Sequence, residues 1–160
     1  NIRYQAHVQN IGWQGWKQNG SSAGTTGKAL RLEAVQIQLD GEIAQIYDVY
    51  YRVHVQNYGW LGWAKNGAVS GTSGFGYRME AIQIQLVPKG WKAPGSTAHA
   101  YLKNYTNNDL TYSGHVQNVG NVAAVKGGAT LGTVGKGRRL EGFSINLNDS
   151  ADGLAKGSIQ

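Results

Sequence analysis

The sequence predicts an all-β protein built from three copies of one unit in a single domain. Three observations carry this. First, a phrase recurs: His7-Val8-Gln9-Asn10 followed by Arg31-Leu32-Glu33-Ala34, then His54-Val55-Gln56-Asn57 with Arg78-Met79-Glu80-Ala81, then His115-Val116-Gln117-Asn118 with Arg139-Leu140-Glu141-Gly142. A self-similar period of this length marks one supersecondary unit used repeatedly. Second, the segments between turns alternate apolar and polar residues, the period of a half-buried strand. Third, Gly is frequent (24) and Pro rare (2) among many aromatic and β-branched residues, a composition of short strands joined by tight turns.

The 160 residues are enough for one domain with a proper core. The expected division is 1–49, 50–96 and 97–160. Each part is too small to bury a core comfortably alone, so a shared core is expected.

In the first unit, residues 4–10 place Tyr4, Ala6 and Val8 on one face and Gln5, His7 and Gln9 on the other. Gly12-Trp13-Gln14-Gly15-Trp16 follows, and then Asn19-Gly20, whose residues both accept positive φ and so signal a two-residue hairpin turn. A short return strand is expected at 21–24. The longest strand covers 30–39 and contains a parity switch: Leu30 and Leu32 share one parity, Val35, Ile37 and Leu39 the other. Side chains alternate strictly along a strand, so only a one-residue bulge near Glu33-Ala34 sends both sets to one core. Tyr77 and Met79 against Ile82, Ile84 and Leu86, and Leu140 against Phe143, Ile145 and Leu147, repeat the switch. A bulge is predicted in all three units.

Residues 40–49 link the first two units and suit either a strand or a turn of helix. The second unit copies the first closely, with Gly59-Trp60-Leu61-Gly62-Trp63 and Asn66-Gly67. Both prolines, Pro88 and Pro94, fall in a loop insertion that also holds Trp91. In the third unit, 98–105 and 110–117 suggest a hairpin around Thr106-Asn107-Asn108-Asp109, and Gly120-Asn121-Val122-Ala123-Ala124 replaces both tryptophans. The tail, 153–160, is expected to close the repeat by pairing with the first strand. Two architectures fit, a β-prism of three small sheets and a β-trefoil. The prism is preferred because residues 76–84 look like the final strands of jacalin-type prism lectins.

Charged residues form only 15% of the chain, so Asn, Gln, Ser, Thr and Gly must cover much of the surface, which suits neutral hydroxylated ligands and life outside the cell. The absence of Cys removes disulfide and thiolate chemistry and is compatible with export from a Gram-positive bacterium. The +6 charge is scattered apart from Lys136-Gly137-Arg138-Arg139, so nucleic acid is not an expected partner, while anionic wall polymers are. No apolar run reaches the roughly 18 residues a spanning helix needs, so membrane insertion is not expected. The chain begins inside a strand-like segment and reads as part of a longer protein.

The residues His-Val-Gln-Asn-x-Gly-Trp-x-x-Trp and Leu-Arg-Leu-Glu-Ala-x-x-Ile-x-Leu, with Ala23-Gly24-Thr25-Thr26-Gly27 between them, resemble the clostridial hydrophobic repeats with a conserved tryptophan, the ChW repeats. The likeness runs almost residue for residue over 4–39 and 50–86. Over 112–147 it holds at the ends and fails at the tryptophans. It implies a secreted or cell-surface module attached to larger proteins, often wall or polysaccharide hydrolases. It also implies binding to carbohydrate, cell wall or a surface partner, without fixing the ligand.

Indole faces stack on the C–H faces of sugars, and amide or imidazole groups bond to hydroxyls. Trp-x-x-Trp cannot place both rings on one face of a regular strand, so one of each pair is expected in the core. Trp13 and Trp60 are assigned there. Trp16 and Trp63 are assigned to ligand contact, together with Gln9, Gln56, His7 and His54. Glu33, Glu80 and Glu141 are given structural roles at the bulges, satisfying freed backbone N–H groups or bonding to the nearby His or Arg. Asn10, Asn57 and Asn118 are read as turn formers. His and acidic residues are too dispersed for metal-ligand spacing, and Ser lacks a nucleophile elbow. Neither a catalytic site nor a cofactor is therefore expected. The expected function is carbohydrate or cell-wall binding, with protein–protein adhesion as the alternative.

Overall fold

The computed structural model describes residues 1–148. It is all-β, with a single short helix among the described residues. Two compact units form, one of residues 1–104 and one beginning at Tyr105. The proposed pairing of 153–160 lies outside the described residues.

In the first unit, β1 (Ile2–Val8) pairs antiparallel with β4 (Leu32–Leu39), and the two-residue strands β2 (Gly12–Trp13) and β3 (Lys17–Gln18) fold back on it. The helix α1 (Ile43–Ile46) leads to β5 (Tyr47–Val55), which pairs with β6 (Gly59–Trp60), β7 (Ala64–Lys65) and β9 (Met79–Pro88). β8 (Ser70–Ser73) crosses to the first sheet, where it pairs antiparallel with β4 and parallel with β10 (Tyr101–Lys103). At its crossing point a Cβ on Gly71 would stand 2.3 Å from the Glu33 carbonyl oxygen, so only glycine allows this approach. The second unit has one sheet, β11 (Leu110–Val116) between β12 (Gly120–Lys126) and β13 (Leu140–Leu147). Among the described residues there are thus three sheets. None closes into the barrel that a trefoil requires.

All three predicted bulges are present. His7 pairs with Ala34 and Val8 with Leu32, so Glu33 is skipped; Glu80 and Glu141 are skipped in the same way. In the first repeat this puts Leu30, Leu32, Val35, Ile37 and Leu39 into one core. That core is shared with Val49, Tyr51, Val53 and Val55 of the second repeat. Each such buried side chain contributes on the order of 1.5–3 kcal/mol. Ile82, Ile84 and Leu86 of the second repeat, by contrast, remain 43–52% exposed.

The Asn-Gly turns form as expected, with φ of 46° and 89° at Asn19-Gly20 and 47° and 88° at Asn66-Gly67. A tyrosine locks each turn segment: Tyr4, Tyr51 and Tyr112 donate their hydroxyls to the carbonyls of Ser21, Ala68 and Ala129.

Two expectations fail. The return strand at 21–24 is absent, because a strand needs a partner edge, and its counterpart β8 gains one only by pairing with β4 of the neighbouring repeat. The hairpin around 106–109 is absent too. Residues 106–109 do turn, with Asp109 capping Thr106, but β10 pairs with β8 rather than β11. There Ala100 and Leu102 reach the shared core, a burial the hairpin would forgo.

Candidate functional site

Each repeat carries the same polar cluster beside its bulge. In the first, His7 Nδ1 lies 3.5 Å from Glu33 Oε1, and Arg31 Nε lies 3.3 Å from Glu33 Oε2. In the second, His54 and Arg78 flank Glu80 at 3.4 and 3.2 Å. In the third, His115 and Arg139 flank Glu141 at 3.8 and 3.5 Å. The bulge turns the skipped glutamate toward the histidine on the adjacent strand. The glutamates bond to side chains here, not to freed backbone N–H groups.

The glutamine candidates are engaged locally. The side-chain oxygens of Gln9, Gln56 and Gln117 accept the backbone N–H of Arg31, Arg78 and Arg139 at 3.3–3.5 Å. Asn10, Asn57 and Asn118 have φ of 61–68° and form the turns that follow.

The tryptophans depart from expectation. Trp13 and Trp60 are register partners of His7 and His54, so they share the polar face rather than the core. Their rings stand edge-on to the imidazoles, with centroids 5.4 and 5.3 Å apart. Trp60 is 41% exposed, which corrects its assignment to the core, and Trp13 is only partly buried. Trp16 is 40% exposed, with Arg3 lying 5.6 Å from its ring centre. Trp63, expected on the surface, is buried with Tyr50, Val87 and Ala93. The loop after Pro88 covers it: the backbone N–H of Trp63 donates to the Ser96 carbonyl, and Gly95 packs on the indole. The first repeat lacks this insertion. The parity argument fails because β6 and β7 are separate strands with irregular residues between them. Both indoles consequently reach one cation: Arg52 lies 4.7 Å from the Trp60 ring and 4.9 Å from the Trp63 ring, while its Nε donates to Gln83.

Sequence reasoning passed over Arg52. Its signal was a cation in the second repeat where the first has Gln5, on the face that carries His54. It also passed over an aromatic group, Tyr58, Phe75 and Tyr77, with centroids 5.5–5.8 Å apart. Ile11, Lys28 and Leu30 hold the corresponding places in the first repeat.

Asp48 is buried beneath the second repeat. Burial opposes its ionisation, but hydrogen bonds from Asn66, Gly90 and Lys89 and the charge of Lys65 prevail, holding the carboxyl well below the usual carboxylate range. No group of three potential metal ligands occurs among the described residues, and no helix there is long and apolar enough to cross a membrane.

Fold and clusters together define a repeat module whose units each clamp a bulged strand with a His–Glu–Arg cluster. The family of clostridial hydrophobic W (ChW) repeats matches residues 7–41, 54–88 and 115–149, so the chain belongs to that family, in three tandem copies. No curated protein and no solved structure matches the chain.

Proposed function

We propose that the chain is a non-catalytic extracellular module that binds carbohydrate or a bacterial cell-wall polymer, acting in a lectin-like way within a larger secreted or surface protein. One observation carries the reading: the first two repeats each present a half-exposed indole beside an arginine, Trp16 with Arg3 and Trp60 with Arg52. An indole offers a flat face for a pyranose, and the arginine and His54 beside Trp60 offer hydrogen-bond donors to its hydroxyls. Repeated weak sites gain avidity when one polymer reaches several of them. The +6 charge favours anionic wall polymers. Membership of the ChW family supports a place at the cell surface.

A specific observation favours protein–protein adhesion as the second reading: Ile82, Ile84 and Leu86 expose one apolar row of β9. A glycan array including peptidoglycan fragments and wall polymers separates the two. Wild type is expected to bind, and Trp16→Ala and Trp60→Ala to weaken binding with an unchanged circular dichroism spectrum. A folded wild type that binds no glycan overturns the carbohydrate reading and favours adhesion.

A further inference from the structure

The third repeat has lost both tryptophans, and its polar face is open where the other two are filled. Position by position, Asn121 stands for Trp13 and Trp60, and Ala124 for Trp16 and Trp63. Ser113 stands for Gln5 and Arg52, Ser144 for Gln36 and Gln83, and Gly142 for Ala34 and Ala81. The ladder confirms these equivalences, since Gln5 pairs with Gln36, Arg52 with Gln83 and Ser113 with Ser144. In the first two repeats the long side chains meet across the strands: Gln5 Nε2 donates to Gln36 Oε1 at 2.6 Å, and Arg52 Nε to Gln83 Oε1 at 2.7 Å. In the third, two hydroxyls stand 3.0 Å apart in their place.

These replacements leave an open pocket of about 250 Å³ walled by Ser113, Ser144, His115 and Asn121. Gly114, Val122, Gly142 and Phe143 complete it. We propose that this pocket is a binding site for a single neutral sugar ring. It falls short of the roughly 300 Å³ at which pockets for drug-sized ligands begin. Its chemistry is that of hydroxyl recognition: Ser113 and Ser144, which bond to each other at 3.0 Å and between them keep one free O–H and spare acceptor lone pairs, and the Asn121 amide N–H groups. The His115 imidazole forms a fixed wall, its Nδ1 3.1 Å from Asn121 Oδ1 and its Nε2 3.8 Å from Glu141 Oε1. None of the lining residues is a carboxylate, lysine or arginine. Glu141, which lies 3.8 Å from His115 Nε2, is paired with Arg139 at 3.5 Å. A neutral polyhydroxylated ring therefore fits better than an anionic one. The third repeat thereby acquires a pocket site in place of an indole platform.

This inference rests on the carbohydrate reading of the module but concerns a separate place in it. The test is a backbone-amide NMR titration of the full chain with glucose, N-acetylglucosamine and glucuronate. The neutral sugars are expected to shift the amides of Ser113, His115, Asn121, Gly142 and Ser144 with millimolar affinity, and glucuronate to shift them less. Asn121→Trp restores the plug of the second repeat and is expected to weaken the site at least about tenfold. Gly142→Ala is a gentler second variant, because a Cβ there meets nothing within 4 Å, and it is expected to weaken binding without unfolding the repeat. Shifts that persist unchanged in both variants, pocket amides that stay still under both neutral sugars, or tighter binding of glucuronate would each overturn the proposal. If wall glycans bind through Trp16 and Trp60 while the pocket stays silent, the pocket alone is overturned. A chain silent to every glycan overturns the function as well.

Discussion

Trp63 lies directly beneath Gly95, where an added Cβ would stand 3.1 Å from the indole nitrogen. The insertion after Pro88 thus acts as a cover, turning a residue whose counterpart Trp16 is solvent-exposed into a small core with Tyr50 and Val87. Trp63→Ala is expected to destabilise the first unit by about 3–5 kcal/mol, the usual loss for a buried large aromatic. Trp60→Ala is expected to stay within about 1 kcal/mol, the scale of an exposed cation–π contact. Urea midpoints with an unchanged slope would read both. Equal losses at the two positions would show that the loop does not seal Trp63 in solution.

The three glutamates have the same partners but very different burial. The Glu33 side chain is 9% exposed, while that of Glu141 is 35% and that of its partner Arg139 69% exposed. A buried carboxylate whose loss strands a charged partner matters more than an exposed ion pair. Glu33→Ala is expected to cost about 1–3 kcal/mol. Glu141→Ala is expected to cost no more than about 1 kcal/mol. Amide exchange at Ala34 and Gly142, on the strands just past each bulge, reports the two separately. Faster exchange at Gly142 alone would reverse the assignment.

Much of this construction was legible in the sequence. The parity switches at Leu32/Val35, Met79/Ile82 and Leu140/Phe143 pointed to bulges because strict alternation would split each apolar set between two faces. Only in the first repeat does the reunited set enter the core; Ile82, Ile84 and Leu86 stay exposed, as do Phe143, Ile145 and Leu147. The Asn-Gly pairs demanded tight turns because both residues tolerate positive φ. Both inferences are local. What stayed hidden was long-range. The burial of Trp63 depends on a loop some thirty residues downstream, and β10 finds β8 rather than its chain neighbour β11. The polar placement of Trp13 follows from its register with His7, which the irregular residues between β2 and β3 conceal from a parity argument. The third-repeat pocket was visible only as missing tryptophans, since the serines facing each other across β11 and β13 require the register.

Tyr51 is buried in the shared core, and burial pushes its hydroxyl up to about 12, against the opposing effect of the backbone at Ile37 and Gly67. Its folded value lies above the unfolded one, so the neutral form favours the fold. That contribution is complete below about pH 10 and is lost as pH rises toward 12. An ultraviolet titration should show one tyrosine ionising well after the exposed ones, together with unfolding. Tyr51→Phe should remove the late step and cost about 1–2 kcal/mol at neutral pH, because the Ala68 carbonyl loses its donor. A late step that survives the substitution would belong to another tyrosine.

Asp48 gives the opposite pH dependence. Its carboxylate gathers Asn66 Nδ2 at 2.8 Å, the Gly90 N–H at 3.1 Å, Lys89 Nζ at 3.2 Å and Lys65 Nζ at 3.4 Å. It thereby ties β5 to β7 and to the turn after β9. The folded value is depressed, so the stabilisation is present above the ordinary carboxylate value of about 4 and is lost as pH falls below it. Asp48→Asn keeps the shape and one acceptor but removes the counter-charge of both lysines, although Lys89 still donates to the Ala44 carbonyl. It is expected to cost about 1.5–3 kcal/mol at neutral pH, the range for hydrogen bonds to a charged group. Because the lysines are about half exposed, water compensates part of their loss. The gap between wild type and variant should then narrow steadily as pH falls below about 4, since protonation removes from the wild type what the substitution has already removed. Urea midpoints at a series of pH values measure this directly. A gap that stays constant into acid would mean that Asp48 acts through packing and neutral hydrogen bonds alone.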